Sequence, residues 1–251
     1  MSRVVWLTGA GKGLGRAVAL ELARRGDRVA ASARTEADLV TLATDANELD
    51  GQIRPFPLDV TDEEANAATV AAIEQQMGPI NLAILNAGTH APISADAFTA
   101  TTFRTLVEVN LMGTVHGIAA LLPRFIGRRS GHIAVVASVA GYRGLPTSAA
   151  YGATKAALIN MCEALKPELD RAGVRIALVN PGFVRTPLTD RNPFPMPFLM
   201  EADDAARRLV VGLDSGRFEI TFPRRFTWGL KLLRCLPYAL YFPLVGRLLK
   251  D

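Results

Sequence analysis

Cysteine and histidine are scarce in this chain of 251 residues, with two of the first and three of the second. Cys162 and Cys235 are far apart and follow no pattern, so they suggest neither a disulfide framework nor a metal site, and they suit a reducing compartment. His90, His116 and His132 show no ligand spacing, and no metal is expected. Long hydrophobic runs are also missing. No window of roughly 18 or more apolar residues occurs, so no spanning helix is expected. The first strand is expected to begin almost at once after Met1-Ser-Arg, which leaves no room for a signal peptide and points to a cytoplasmic setting. Acid is nearly absent from the C-terminal end. Residues 223–251 hold six of the 28 basic residues and one of the 24 acidic ones, so the net charge of +4 belongs to that tail. The remainder is close to neutral, which weakens a nucleic-acid-binding reading of the whole chain.

What is present describes a folded domain. The composition is 49% hydrophobic and 21% charged. A chain of this length buries roughly three-quarters of the surface it exposes unfolded and needs no staples. Short apolar runs at residues 4–7, 29–33, 53–58, 82–85, 133–137, 176–179 and 218–222 alternate with amphipathic stretches such as 16–25 and 63–77. Near-continuous apolar strands suggest a parallel sheet covered on both faces. Their alternation with helices suggests right-handed crossovers and a doubly wound sheet of seven strands with about six helices. We expect one domain over residues 1–222, followed by a basic, apolar tail over 223–251. Pro167 falls inside the helix that begins near Tyr151 and is expected to kink it or end it near Lys166.

Two local patterns carry chemistry. Thr8-Gly9-Ala10-Gly11-Lys12-Gly13-Leu14-Gly15 follows the first strand and opens the first helix. It is either a plain glycine-rich turn or a phosphate cradle, in which glycines admit a pyrophosphate and the helix N-terminus presents free N–H groups. Its place at the start of a strand–helix–strand unit favours the cradle. The second strand ends at Ala33-Arg34, where an NAD site usually places an acid for the ribose 2′-hydroxyl. A missing acid, with Arg34 and Lys12 nearby, favours the 2′-phosphate of NADP(H). The second pattern is Tyr151 and Lys155, at i and i+4 and so roughly 6 Å apart on one helix face. Such a pair is most often an ordinary surface pair. Beside an ammonium, however, a phenol with a free pKa of about 10 is drawn toward the working range. Ser138 lies just past the C-terminal end of the fifth strand, where ligands sit in open α/β sheets.

Together these residues resemble the short-chain dehydrogenase/reductase family over about residues 3–222. The glycine motif matches at Thr8, Gly9, Gly13 and Gly15, and Leu58-Asp59-Val60 matches the segment that meets adenine. Asn86-Ala87-Gly88 matches the turn after the fourth strand, although Leu85 precedes it where the family often has a second Asn. Asn110, Ser138, Tyr151 and Lys155 match the catalytic tetrad, and Asn180-Pro181-Gly182-Phe183-Val184-Arg185-Thr186 matches the nicotinamide-holding segment. The resemblance implies a Rossmann-like fold with helices on both faces and an NADP(H)-dependent exchange of alcohol and carbonyl. It implies Tyr151 as acid/base, Ser138 bonded to the substrate oxygen, and Lys155 lowering the tyrosine pKa while holding the ribose. Asn110 would fix a water in a proton relay. The implied cofactor contacts also include Gly11, Lys12, Leu14, Arg34, Pro181, Gly182, Val184 and Thr186. A homodimer or homotetramer is implied too, with Pro167 making its usual geometry less secure.

Substrate candidates follow from loop positions: Val139, Tyr142 and Arg143 after Ser138, Phe183 within the nicotinamide-holding segment, and Phe194, Met196 and Phe198 in the segment after it, residues 187–200. Their character suggests an apolar substrate. The tail, with Trp228, Tyr238 and Tyr241 among leucines and arginines, either packs on the body or a neighbouring subunit or lies in a membrane surface. Two other readings of the whole remain: a non-catalytic NADPH-binding regulator, and a membrane-surface interaction protein on the same fold.

Overall fold

The computed structural model of the chain describes residues 2–191 and 195–247. Seven parallel strands form one sheet in the order β3-β2-β1-β4-β5-β6-β7. In sequence they are β1 (Val4–Thr8), β2 (Arg28–Ser32), β3 (Gln52–Pro55), β4 (Leu82–Leu85), β5 (His132–Val136), β6 (Arg175–Pro181) and β7 (Glu219–Phe222). All seven coincide with the apolar runs to within a few residues, and β1, β4 and β5 are buried along their whole length. Alternation along β1 divides the core. Val5 and Leu7 face one layer and Val4 and Trp6 the other, as the two-residue strand period requires. Trp6 is fully buried and its indole N–H donates to Ser32 Oγ at 3.0 Å.

The helices of the body are α1 (Gly13–Arg24), α2 (Glu36–Asp45), α3 (Glu63–Met77), α4 (Ala100–Leu106), α5 (Gly113–Gly127), α6 (Ala149–Arg171) and α7 (Ala202–Asp214). A π-helical turn, Val107–Met112, joins α4 to α5. Counted as one run, these two leave six helices in the body. The run Ala100–Gly127 is long and apolar enough to cross a membrane by length and composition, against the expectation that no such segment exists. In this fold it packs on α3 and α6 and carries Asn110 inward, so it serves as a core helix of the sheet's outer layer.

Of the two outcomes expected at Pro167, the helix does not end there, because α6 continues past it to Arg171. The proline sits on the exposed side near the helix end. The carbonyl one turn back can therefore turn to water in place of the lost N–H, and little is sacrificed.

The body ends with β7. Two helices follow, α8 (Arg224–Arg234) and α9 (Tyr238–Gly246). Only one side of each is inward: Thr227 on α8, and Tyr241 and Val245 on α9, are buried. Phe226 and Leu230 rest against the core layer behind β6.

Candidate active site

The order in which strands are added reverses between the parallel neighbours β1 and β4: β2 and β3 extend the sheet on one side, and β5, β6 and β7 extend it on the other. A cleft of about 490 Å³ opens there, at the C-terminal ends of the strands. Every residue expected at the cofactor lines it. Gly9 (φ 68°) and Gly13 (φ 55°) hold left-handed backbone, and a Cβ on Gly15 would lie 2.1 Å from the Gly9 carbonyl oxygen. Lys12 caps α1 without a side-chain hydrogen bond, so the first-turn N–H groups are open to the cleft. The turn is braced from behind. Thr8 Oγ1 accepts from the Asn86 and Ala87 N–H groups at 3.0 and 3.1 Å. Asn86 Nδ2 donates to the Thr8 and Gly9 carbonyls at 3.1 and 3.2 Å. The Asn86 amide therefore shapes the cradle from within the protein.

At the end of the cleft beside β2 stand Ala33, Arg34 and Thr35. Asp59 accepts from the Thr61 N–H at 3.0 Å and the Thr61 hydroxyl at 2.8 Å. Those bonds, the backbone one foremost, hold its carboxyl below the usual range despite burial, and the Arg34 charge adds to the effect. Sequence reasoning missed Asp38. From the first turns of α2 its carboxylate reaches into this end of the cleft, 3.3 Å from Lys12 Nζ. Position along α2 gave no warning, because the pairing depends on how α2 lies against the glycine turn.

At the other end Ser138, Tyr151 and Lys155 converge. The Ser138 hydroxyl accepts from the Ala140 N–H at 3.1 Å and is hydrogen-bonded to Tyr151. Lys155 is only 3% exposed and donates to the Val136 carbonyl at 2.8 Å. Burial brings its ammonium down to about 8. Its nitrogen lies 5.7 Å from the centre of the Tyr151 ring. The electrostatics correct one expectation: burial pushes the Tyr151 phenol up, and the group opposing that shift is Ser138, not Lys155. The ammonium is turned to the Val136 carbonyl, so the phenol remains protonated in this arrangement.

Asn110 is fully buried in the π turn. Its Oδ1 accepts from the Thr89 N–H at 2.7 Å, and its Nδ2 donates to the Thr89 carbonyl at 2.9 Å and the Thr154 hydroxyl at 3.3 Å. A Cβ on Gly88 would fall 3.3 Å from Asn110 Oδ1 and 3.7 Å from Lys155 Nζ, so these groups are neighbours across one glycine. The Asn110 amide thus fastens the loop after β4 to α6; π turns of this kind recur at functional sites. Sequence reasoning also missed His90. Its ring meets Tyr151 edge-on, with centroids 4.6 Å apart. Its place two residues beyond Gly88, on the loop leaving β4, was the available signal.

None of the described substrate candidates lines this cleft. Val139 is buried in the core layer. Phe183 and Phe198 pack at a tilt against Phe226 of α8, with centroids 5.6 and 6.0 Å away. Met196 is part-buried, and Phe194 lies outside the described residues. Tyr142 and Arg143 are corrected outright. The Tyr142 hydroxyl donates to Glu219 at 2.6 Å, and burial raises its pKa far above the ordinary value. Asn180 and Lys231 bind the same carboxylate. Arg143 donates to the Leu233, Arg234 and Leu236 carbonyls at 3.0, 3.0 and 2.6 Å. Its guanidinium lies 3.8 Å from the centre of the Tyr241 ring. The C-terminal carbonyls and negative dipole end of α8 draw this cation away from the cleft.

Comparison with known proteins gives a consistent picture. A family model described as "short chain dehydrogenase" matches residues 3–193. An "uncharacterized oxidoreductase" of Myxococcus xanthus is 37% identical over 246 residues, 98% of this chain and 97% of the relative. A 3-oxoacyl-(acyl-carrier-protein) reductase of Thermotoga maritima is 32% identical over 191 residues, 76% of this chain and 78% of that protein. A Burkholderia phymatum short-chain dehydrogenase/reductase solved with NAD superposes with TM-score 0.84 at 25% identity, covering 92% of each chain. A Sphingobium yanoikuyae short-chain dehydrogenase solved with NADPH superposes with TM-score 0.80 at 27% identity, covering 98% of this chain and 93% of that one.

Proposed function

The chain belongs to the short-chain dehydrogenase/reductase family, and from that premise we propose that it is an NADP(H)-dependent oxidoreductase interconverting an alcohol and a carbonyl. The observation that carries this reading is the convergence of Ser138, Tyr151 and Lys155 at one end of the cleft whose other end is the glycine cradle. The cradle fits a dinucleotide. Its glycines leave no room for side chains, and the uncapped N-terminus of α1 offers N–H groups to phosphate. A nicotinamide cofactor held there would supply the hydride chemistry for the alcohol–carbonyl exchange. In the reductive direction Tyr151, kept protonated by burial, gives its proton to the carbonyl oxygen. Ser138 places that oxygen by a second hydrogen bond. Lys155, with a pKa of about 8, is mostly cationic near neutrality and steadies the phenolate left on Tyr151. Asn110 holds the loop that carries Thr89 and His90 against α6, and so keeps the site in register.

Preference for the 2′-phosphate is supported by Arg34 and Lys12 at the adenosine end and by Ala33 where a carboxylate would repel it. Asp38 competes for Lys12, which leaves Arg34 as the main phosphate partner. The substrate is an apolar small molecule, in keeping with the apolar segment after β6, and the working assembly is a homodimer or homotetramer.

The test is a panel of aliphatic, aromatic and steroid-like carbonyls and alcohols, run with NADPH and NADH in parallel. Turnover with NADPH, reduced about a thousandfold in Tyr151→Phe while NADPH binding persists, is the expected result. Near-normal turnover in that variant refutes the role of Tyr151. Tight NADPH binding without turnover of any compound points instead to a regulator, and equal use of NADH overturns the cofactor preference.

A further inference from the structure

The tail is pinned to the body with an apolar face turned outward. Arg143 holds the C-terminal carbonyls of α8. Lys231 of α8 pairs with Glu219 of β7, and the Tyr241 hydroxyl of α9 donates to the Gly144 carbonyl. The orientation of both helices is therefore set by buried and half-buried contacts. On α8, Arg225, Trp228 and Leu232 lie at i, i+3 and i+7, on the side away from Thr227. Trp228 is 70% and Leu232 72% exposed. On α9, Tyr238 and Phe242 stack with ring centroids 5.4 Å apart, and both face solvent beside Leu240 and Leu244. Six of the eleven large hydrophobic side chains exposed on the described surface thus belong to these two short helices.

Charge identifies what this face fits. Arg224, Arg225, Arg234 and Arg247 are exposed around it, and none forms an ion pair among the described residues. No acidic residue occurs between Glu219 and Asp251. A symmetric pairing of two copies through this face would bring the same arginines together, which like-charge repulsion opposes. A bilayer with anionic headgroups satisfies both halves of the pattern, taking aromatic and leucine side chains at the acyl boundary and arginines at the phosphates. At about 1.5 Å per residue, helices of 11 and 9 residues reach about half of a hydrocarbon core roughly 30 Å thick, so they lie in the surface and do not cross it.

We propose that α8 and α9 form a docking surface for anionic lipid bilayers, presented in a fixed orientation by Arg143, Glu219 and Gly144. The surface continues toward the cleft. Phe226 of α8 packs its ring at a tilt against Phe183 and Phe198 of the loop after β6, and Phe198 is itself 58% exposed. The loop that walls the cleft through Pro181, Gly182, Val184 and Thr186 therefore sits beside the docked face. A lipid surface at that wall suits the apolar substrate; this last clause rests on the oxidoreductase reading, whereas the docking itself does not.

The experiment is co-sedimentation of the full-length chain with vesicles of phosphatidylcholine alone and of phosphatidylcholine mixed with phosphatidylglycerol. Three forms are compared: the unaltered chain, Arg224→Glu/Arg225→Glu, and Trp228→Ser/Leu232→Ser/Phe242→Ser. All five positions are exposed and outside the cleft, and NADPH binding and thermal melting verify that the variants fold. The expected result is binding to the anionic vesicles only, weakened by about 1 M salt, where the screening length is about 3 Å, and at least about tenfold weaker in both variants. Absence of vesicle binding, or equal binding by all three forms, overturns the proposal. So does a fall in oligomer mass in the serine variant without vesicle binding, which would assign the face to a second copy. No turnover enters these readouts, so failure here is distinct from failure of the enzymatic reading.

Discussion

In the cleft, Lys155 is 3% exposed and its ammonium rests on the Val136 carbonyl; in the tail, Arg224, Arg225, Arg234 and Arg247 face solvent beside exposed Trp228 and Leu232. The body pairs polar groups among its own elements: Thr8 braces Asn86, Thr89 braces Asn110, and Tyr142 binds Glu219. The tail satisfies only its inner side. Such a contrast within one chain separates a surface completed by folding from one that still awaits a partner, because buried polar groups must be matched while exposed ones need not be. The border runs through the few residues after β5. Ser138 turns to Tyr151, and five positions later Arg143 turns to α8.

That border can be broken from either side. After Tyr151→Phe, the largest effect is expected for Ser138→Ala, which under the proposed mechanism removes one hydrogen-bond donor from the substrate oxygen and should lower kcat about a hundredfold at an unchanged melting temperature. If steady-state kinetics show a loss below about threefold, Ser138 is not on the cleft side in function. The next concerns the body alone. His132, at the opposite end of β5, is held down to about 4 from 6.5 by burial first, and then by the Arg175 and Arg3 charges. Between those two values the unfolded chain binds a proton that the folded one refuses. Stability should therefore fall by up to about 3 kcal/mol as the pH drops through that window and rise again on return to neutrality. Urea midpoints at either end of the window measure this, and His132→Gln should flatten the difference. The smallest is Arg143→Met, which removes the side-chain donor shared by the Leu233, Arg234 and Leu236 carbonyls. A loss of about 1–2 kcal/mol is expected, seen as a fall of roughly 4 °C in Tm and faster proteolysis within α8–α9, with kcat within about threefold of the unaltered chain. A collapse of kcat in this variant would show that the tail and the cleft are one unit.

Much of this was legible beforehand. The seven strands were visible because each is a short apolar run bounded by turn residues, and the glycine cradle because its spacing can be read on a single strand–helix junction. Tyr151 and Lys155 are four residues apart on one helix, and Ser138 abuts a strand end; both relations are local. The errors came where a side chain's direction depends on distant chain. Arg143 and Leu233 are 90 positions apart, and nothing near Arg143 reveals that a helix end will draw it away from the cleft. The expected influence of Lys155 on Tyr151 followed from spacing, whereas the Val136 carbonyl, 19 positions away, decides where the ammonium points.

The sequence by itself determined the sheet, the glycine turn and the grouping of Ser138, Tyr151 and Lys155, since periodicity and short spacings are set within a turn or a strand. It also determined that the tail is basic and apolar. Only the tertiary structure decided that Asp38 meets Lys12, that His90 meets Tyr151, that Asn110 sits in a π turn, and that Arg143 belongs to α8. The physical reason is common to all four: each is fixed by the packing of elements remote in sequence, and a long polar side chain takes whichever unpaired partner that packing brings within reach.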